Sequence, residues 1–130
     1  MANILVIDDD ERVRFVMRES LLAMGHTVIE AEDAASGFTL AVQQKPDLIL
    51  SDFMMPMAPG KNLFQDLSSD PQTKNVPILI MSGLPKAKIQ GFIPAHLWMN
   101  ILTKPVDYSQ LKDCIENILK QHKPPLIDRP

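Results

Sequence analysis

Leu48-Ile49-Leu50-Ser51-Asp52 runs directly into Phe53-Met54-Met55-Pro56-Met57-Ala58-Pro59-Gly60. The first run reads as a buried strand that ends on a carboxylate. The second cannot continue it, because two prolines and a glycine force a loop. Asp52 is therefore expected at the carboxyl end of a central strand, facing the crevice where open α/β sheets bind ligands. Taken alone, such a residue also has a plainer explanation, since Asp often does no more than end a strand or cap a turn. The other strand ends of the chain decide between the two.

Towards the N-terminus, Ile4-Leu5-Val6-Ile7 is a continuous aliphatic run, the mark of a strand buried on both faces as in a parallel sheet. Asp8-Asp9-Asp10-Glu11 follows at once, and then Val13, Val16, Met17, Leu21 and Met24 recur at helical spacing up to Gly25. Helix capping and the helix dipole account for one or two acids at a strand-to-helix turn. Four consecutive acids exceed that need, and their repulsion requires relief. Thr27 to Ala31 reads as a second strand, with Glu30 among apolar neighbours as on a sheet edge. Asp33 caps a helix whose face is Ala34, Phe38, Ala41 and Val42, stopped at Lys45-Pro46.

Beyond Asp52, Leu63, Phe64 and Leu67 mark a short helix, and Val76 to Met81 a fourth buried strand ending at Ser82-Gly83. Lys86 to Gln90 can form a helix that Gly91 and Pro94 cut short. Trp98 to Leu102 reads as a fifth strand, ending at Thr103-Lys104-Pro105. Asp107, with Gln110 three residues on, then caps a last helix with the face Leu111, Cys114, Ile115, Ile118 and Leu119. Five strands alternating with five helices, joined by short right-handed crossovers, imply a doubly wound parallel sheet with helices on both faces. Residues 1–121 are expected to form this domain and residues 122–130, polar and rich in proline, a tail or the start of a linker.

Composition narrows the function. At 130 residues, 45% of them hydrophobic, the chain can bury one full core. A net charge of -3 lacks the basic footprint of a nucleic-acid binder. No apolar run has membrane-spanning length, and no secretory signal precedes Ile4. Cys114 is the single cysteine, which excludes an internal disulfide and a thiolate zinc site and fits a cytoplasmic location. His26, His96 and His122 are scattered and read as surface or packing residues, and Trp98 as packing.

Collected by strand end, the candidates are Asp8 and Asp9 from the first strand, Asp52 from the third, Ser82 from the fourth and Lys104 from the fifth. One fold places all of them around one crevice. Three carboxylates together repel. Magnesium, which takes oxygen ligands and often bridges carboxylates to phosphate, relieves them. A lysine and a hydroxyl opposite suit a phosphoryl group, with Asp52 as nucleophile.

Ile4-Leu5-Val6-Ile7-Asp8-Asp9-Asp10, Asp52 with Met55-Pro56 and Gly60, Ser82-Gly83 and Lys104-Pro105 resemble the receiver domain of bacterial two-component response regulators. The resemblance spans roughly residues 3 to 121 and implies the flavodoxin-like strand order 2-1-3-4-5. It implies that Asp52 accepts a phosphoryl group from a phosphohistidine on a sensor histidine kinase or histidine phosphotransfer protein. Asp9 would then bind magnesium directly, Asp8 through water, and Asp52 and the carbonyl of Met54 would complete the metal site. Ser82 and Lys104 would hold the phosphoryl oxygens. The Lys104-Pro105 peptide is expected cis. Phosphorylation would shift a conformational equilibrium and so regulate an effector domain, a target protein or a homodimer, with no direct binding of nucleic acid or membrane by this domain. Catalysis would be limited to the chain's own phosphotransfer and slow dephosphorylation.

Two positions depart from the family pattern. The aromatic residue often found three before the lysine is Ile101 here, and Gly91-Phe92-Ile93-Pro94-Ala95-His96 lacks the usual Gly-Ala turn. Both bear on the output, so Ser82 and Ile101 are the candidate switch residues. Ile101 is stiff at its first torsion, which leaves Ser82 and Gly83-Leu84-Pro85 as the mobile part. Among the alternatives, a flavin or nucleotide binder would carry a Gly-, Ser- or Thr-rich loop where the four acids stand. A phosphatase similar to the haloacid dehalogenases would carry a second Asp where Met54 stands. A degenerate receiver acting only as an interaction module would lack part of the acceptor set.

Overall fold

Each aliphatic run of the sequence becomes a five-residue strand: β1 (Asn3–Ile7), β2 (Thr27–Ala31), β3 (Leu48–Asp52), β4 (Ile78–Ser82) and β5 (Met99–Thr103). The computed structural model describes residues 2–52, 63–85 and 99–121. Among these, four helices accompany the strands: α1 (Glu11–Ala23), α2 (Ala34–Gln44), α3 (Leu63–Ser69) and α4 (Tyr108–Gln121). The strands form one parallel sheet in the order β2-β1-β3-β4-β5. The fold class and strand order are those the sequence and its resemblance implied. The helix expected over Lys86 to Gln90, the segment Gly91 to Trp98, the loop holding Met54 to Gly60, and the tail from His122 lie outside the described residues.

The continuous aliphatic runs are explained by burial on both faces of the sheet. Leu5, Ile7, Ile49, Ile78, Ile80 and Ile101 pack on one side with Ala41 of α2 and Leu63, Phe64 and Leu67 of α3. Ile4, Val6, Leu48, Leu50, Leu79 and Met81 pack on the other with Leu21 of α1 and Leu111, Ile115 and Ile118 of α4. Each fully buried aliphatic contributes on the order of 2 kcal/mol, so the two layers hold every strand and fix its register. Cys114 is partly buried against the second layer.

Caps account for the helix starts. Asp33 Oδ1 accepts from the Ser36 N–H at 2.7 Å, and Asp107 Oδ1 from the Gln110 N–H at 2.9 Å. Asp10 caps α1 in the same way. α1 ends where Gly25 adopts φ +92 and its N–H reaches the Leu22 carbonyl at 3.0 Å.

Three details differ from expectation. Val16 is 54% exposed. One residue turns the helix by about 100°, so the stripe through Met17, Leu21 and Met24 that faces the sheet leaves Val16 on the flank. β4 begins at Ile78 and not Val76, because the Val76 N–H is taken by the Thr73 carbonyl in a turn at 3.0 Å. β5 runs on to Thr103, one residue past Leu102, in register with Ser82.

Candidate phosphoacceptor and metal site

Register sets the level of each strand end. Ile7 pairs with Ser51, Asp52 with Met81, and Ser82 with Thr103. Asp8 and Asp52 therefore stand side by side on neighbouring strands, roughly 4.8 Å apart in a sheet of ordinary spacing. Ser82 lies one step further on and Lys104 one step beyond Ser82, and the Lys104 N–H donates to the Ser82 carbonyl at 2.7 Å. The Lys104-Pro105 peptide is cis, as the resemblance implied.

The acidic turn sorts its residues. The Asp8 N–H continues the sheet by donating to the Ala31 carbonyl at 3.1 Å. Asp8 Oδ1 accepts from the Asp10 N–H at 2.9 Å, a local turn that swings the chain into α1. Asp10 then spends its carboxylate on the Arg12 N–H at 2.8 Å. That bond holds its carboxyl below the usual range. Capping thus absorbs Asp10 and half of Asp8. The other half, Asp8 Oδ2, is buried without a hydrogen-bond partner. Burial pushes the Asp8 carboxyl above its ordinary pKa; the Asp10 N–H opposes the rise and the Asp52 charge adds to it.

Asp8, Asp9 and Asp52 each offer an oxygen within 4.8 Å of the others. Asp9 is exposed, whereas Asp8 and Asp52 are buried. A buried oxygen without a partner beside two further carboxylates is a donor set that suits a hard divalent cation with waters in its remaining positions. On the other flank, Lys104 Nζ reaches Asp52 Oδ1 at 3.1 Å. The Lys104 side chain is 38% exposed, so it can serve an incoming anion as well as Asp52. Ser82 is fully buried, and its Oγ accepts from the Leu84 N–H at 2.9 Å while keeping its own proton to donate. Ile101 is packed in the core layer beneath and not at the surface. Met54, the expected carbonyl ligand, lies outside the described residues.

The acidic turn has support that spacing alone did not reveal. Arg14 Nη1 donates to the Asp8 carbonyl at 2.7 Å, and its Nε faces Glu30 Oε1 at 3.4 Å. Arg18 Nη1 takes the other oxygen of Glu30 at 2.8 Å. The available signal was an Arg pair four residues apart on one helix face, with a lone carboxylate on the edge strand that follows.

Comparison with known proteins agrees with this geometry. The family profile of the response regulator receiver domain matches residues 4–116. PilH of Pseudomonas aeruginosa is 32% identical over 92% of this chain and 98% of its own length. The DNA-binding dual master transcriptional regulator RpaA of Synechocystis is 35% identical over 93% of this chain. The chain spans 50% of RpaA, so its relatives include proteins of its own size and proteins about twice as long. By fold, the chemotaxis response regulator CheY4 of Vibrio cholerae superposes with a TM-score of 0.82 at 25% identity, covering 92% of this chain and 99% of that one. A response regulator from Desulfuromonas acetoxidans gives 0.81 at 26% identity, covering 93% and 98%. The match runs through every described strand and through the carboxylates and lysine at their ends, and the chain belongs to the receiver domain family of two-component response regulators.

Proposed function

We propose that Asp52 is the phosphoacceptor of this receiver, taking its phosphoryl group from a phosphohistidine on a sensor histidine kinase or a histidine phosphotransfer protein. The observation that carries the reading is the placement of Asp52 between two groups of opposite use. Asp8 and Asp9 converge on one side within 4.8 Å, and Lys104 Nζ stands 3.1 Å away on the other. An Asp52 oxygen attacks phosphorus, the P–N bond breaks, and the imidazole leaves with the electron pair. The product is an acyl phosphate. Lys104, already paired with Asp52, faces the charge that the phosphoryl oxygens bring. The Ser82 hydroxyl lies near enough in register to donate to one of those oxygens once the loop at Leu84 adjusts.

Asp8, Asp9, Asp52 and the carbonyl of Met54 would hold magnesium, which when bound neutralises the phosphoryl oxygens. Asp8 keeps its free oxygen turned to that place because its other oxygen is tied to Asp10. Loss of the phosphoryl group to water at the same site makes the signal transient. Ser82 with Gly83-Leu84-Pro85 is the part that switches, and Ile101, held in the core layer, follows only through packing. The output passes to an effector domain, a separate target or a second copy of the chain. The absence, among the described residues, of a helix long and apolar enough to cross a membrane is compatible with a cytoplasmic partner kinase domain.

The deciding experiment is intact mass after incubation with magnesium and a small acyl phosphate or phosphoramidate. One phosphoryl group should be gained, only with magnesium, and Asp52→Asn should abolish the gain. Labelling of Asp52→Asn at the parent's rate would refute the assignment.

A further inference from the structure

Asp8 has four groups able to hydrogen-bond, and three are committed. Its N–H is held by Ala31 of β2 at 3.1 Å, its Oδ1 by the Asp10 N–H at 2.9 Å, and its carbonyl by Arg14 Nη1 at 2.7 Å. Only Oδ2 is left open, buried and without a partner. The third of these bonds is the one made by a side chain from outside the turn. Arg14 is itself fixed: its side chain is 15% exposed, its Nε lies 3.4 Å from Glu30 Oε1, and Glu30 is gripped from the far side by Arg18 at 2.8 Å. The carbonyl of Asp8 is thus anchored, through a planar fork, to the end of β2 next to Ala31.

We propose that Arg14 is a positioning residue for the divalent-cation site: by clamping the Asp8 carbonyl against the Glu30 anchor, it holds the β1–α1 turn in the form that presents the Asp8 and Asp9 oxygens towards Asp52. This rests on the reading of those three carboxylates as the metal ligands. A guanidinium suits the role because it meets the carbonyl with Nη1 and the carboxylate with Nε at once, two nitrogens in a fixed geometry that the single nitrogen of a lysine ammonium does not reproduce.

The sign of the effect separates this role from the alternatives. Arg14 places a positive charge beside a site that takes a cation, so by charge alone its removal tightens magnesium binding. A merely structural Arg14 would lower the stability of the domain and leave the affinity of the folded protein unchanged. Positioning predicts weaker binding in a protein that is still folded.

The test compares the parent, Arg14→Met and Arg14→Lys by isothermal titration with magnesium at fixed ionic strength, alongside far-UV circular dichroism and metal-free urea unfolding. Arg14→Met should weaken the magnesium dissociation constant by about tenfold, the lower range for loss of a group that orients a ligand. Arg14→Lys, with the charge kept and the fork lost, should weaken it by about threefold. Equal or tighter binding by folded Arg14→Met overturns the proposal. Should Arg14→Met prove unfolded, Arg14→Lys decides alone: weaker binding supports the role and parental affinity overturns it. A parent that binds no magnesium overturns the metal site together with this role, whereas a binding parent with unaltered variants overturns this role only.

Discussion

Asp8 carries an electrostatic cost that its hydrogen bonds do not relieve. Its Oδ2 is buried with no partner, and its neighbour Asp52 bears the same charge. Three clustered carboxylates, taken alone, lead to the expectation that Asp52→Asn relieves like-charge strain. The structure moves that expectation to Asp8, because Asp52 already has Lys104 at 3.1 Å and its amide variant would lose that pair. Asp8→Asn keeps an oxygen for the Asp10 N–H and turns an N–H₂ towards Asp52. We expect it to raise metal-free stability by about 1 kcal/mol, the scale of one unsatisfied buried group, and to lose most of the stabilisation that magnesium gives the parent. Urea midpoints with magnesium and with chelator measure both; a metal-free variant less stable than the parent would count against the strain. The strand-end positions of Asp8, Asp52, Ser82 and Lys104 were legible because each follows an aliphatic run. The division of labour among the four acids was not, since capping and ligation use the same residue types.

α2 and β1 meet at Gly37, and there an element-level rule is reversed. A glycine inside a helix ordinarily costs about 1 kcal/mol relative to alanine. A Cβ at Gly37 would lie 2.6 Å from Cδ1, 3.0 Å from Cγ1 and 3.1 Å from Cγ2 of Ile7. Ile7 is fully buried and β-branched, so it cannot turn aside. Overpacking of this kind costs about 1–3 kcal/mol, which outweighs the gain in helix propensity. Gly37→Ala is therefore expected to destabilise the domain by up to about 2 kcal/mol. Ile7→Val, which removes the nearest atom, should recover part of that loss in the double variant, and simple additivity of the two losses in urea unfolding would argue against the clash. Periodicity located α1, α2 and α4 and most of their faces, yet it assigned Val16 inward and was silent on Gly37. Periodicity sees one helix at a time, whereas both facts depend on how closely the helix sits on the sheet.

At the scale of the molecule, parallel topology puts the candidate site residues at the carboxyl ends of the strands and leaves the amino ends to structure. That separation was legible for the candidate site, because Asp8, Asp52, Ser82 and Lys104 all come after an aliphatic run. What joins the amino ends was not. There, His26 Nδ1 accepts from the Ala2 N–H at 3.0 Å, and the Thr27 N–H donates to the Ala2 carbonyl at 2.9 Å, so the histidine pins the lead into β1. An accepting Nδ1 must be unprotonated. Burial holds the His26 pKa below its ordinary 6.5, helped by the positive N-terminus and opposed by Glu116 and Asp47. With the folded value depressed, the unfolded chain binds the proton more readily, so the stabilisation is complete above pH 6.5 and is lost as pH falls through the folded value. His26→Asn retains an oxygen acceptor and cannot titrate. The difference in urea midpoint between parent and variant should then shift against the parent as pH falls from neutral towards 5. Because each strand is about 16 Å long at the usual rise, magnesium-dependent phosphorylation of Asp52 at the opposite end should be the same in both proteins at neutral pH. Parallel stability curves, or a parent that gains on the variant in acid, would show that His26 does not pin the strand.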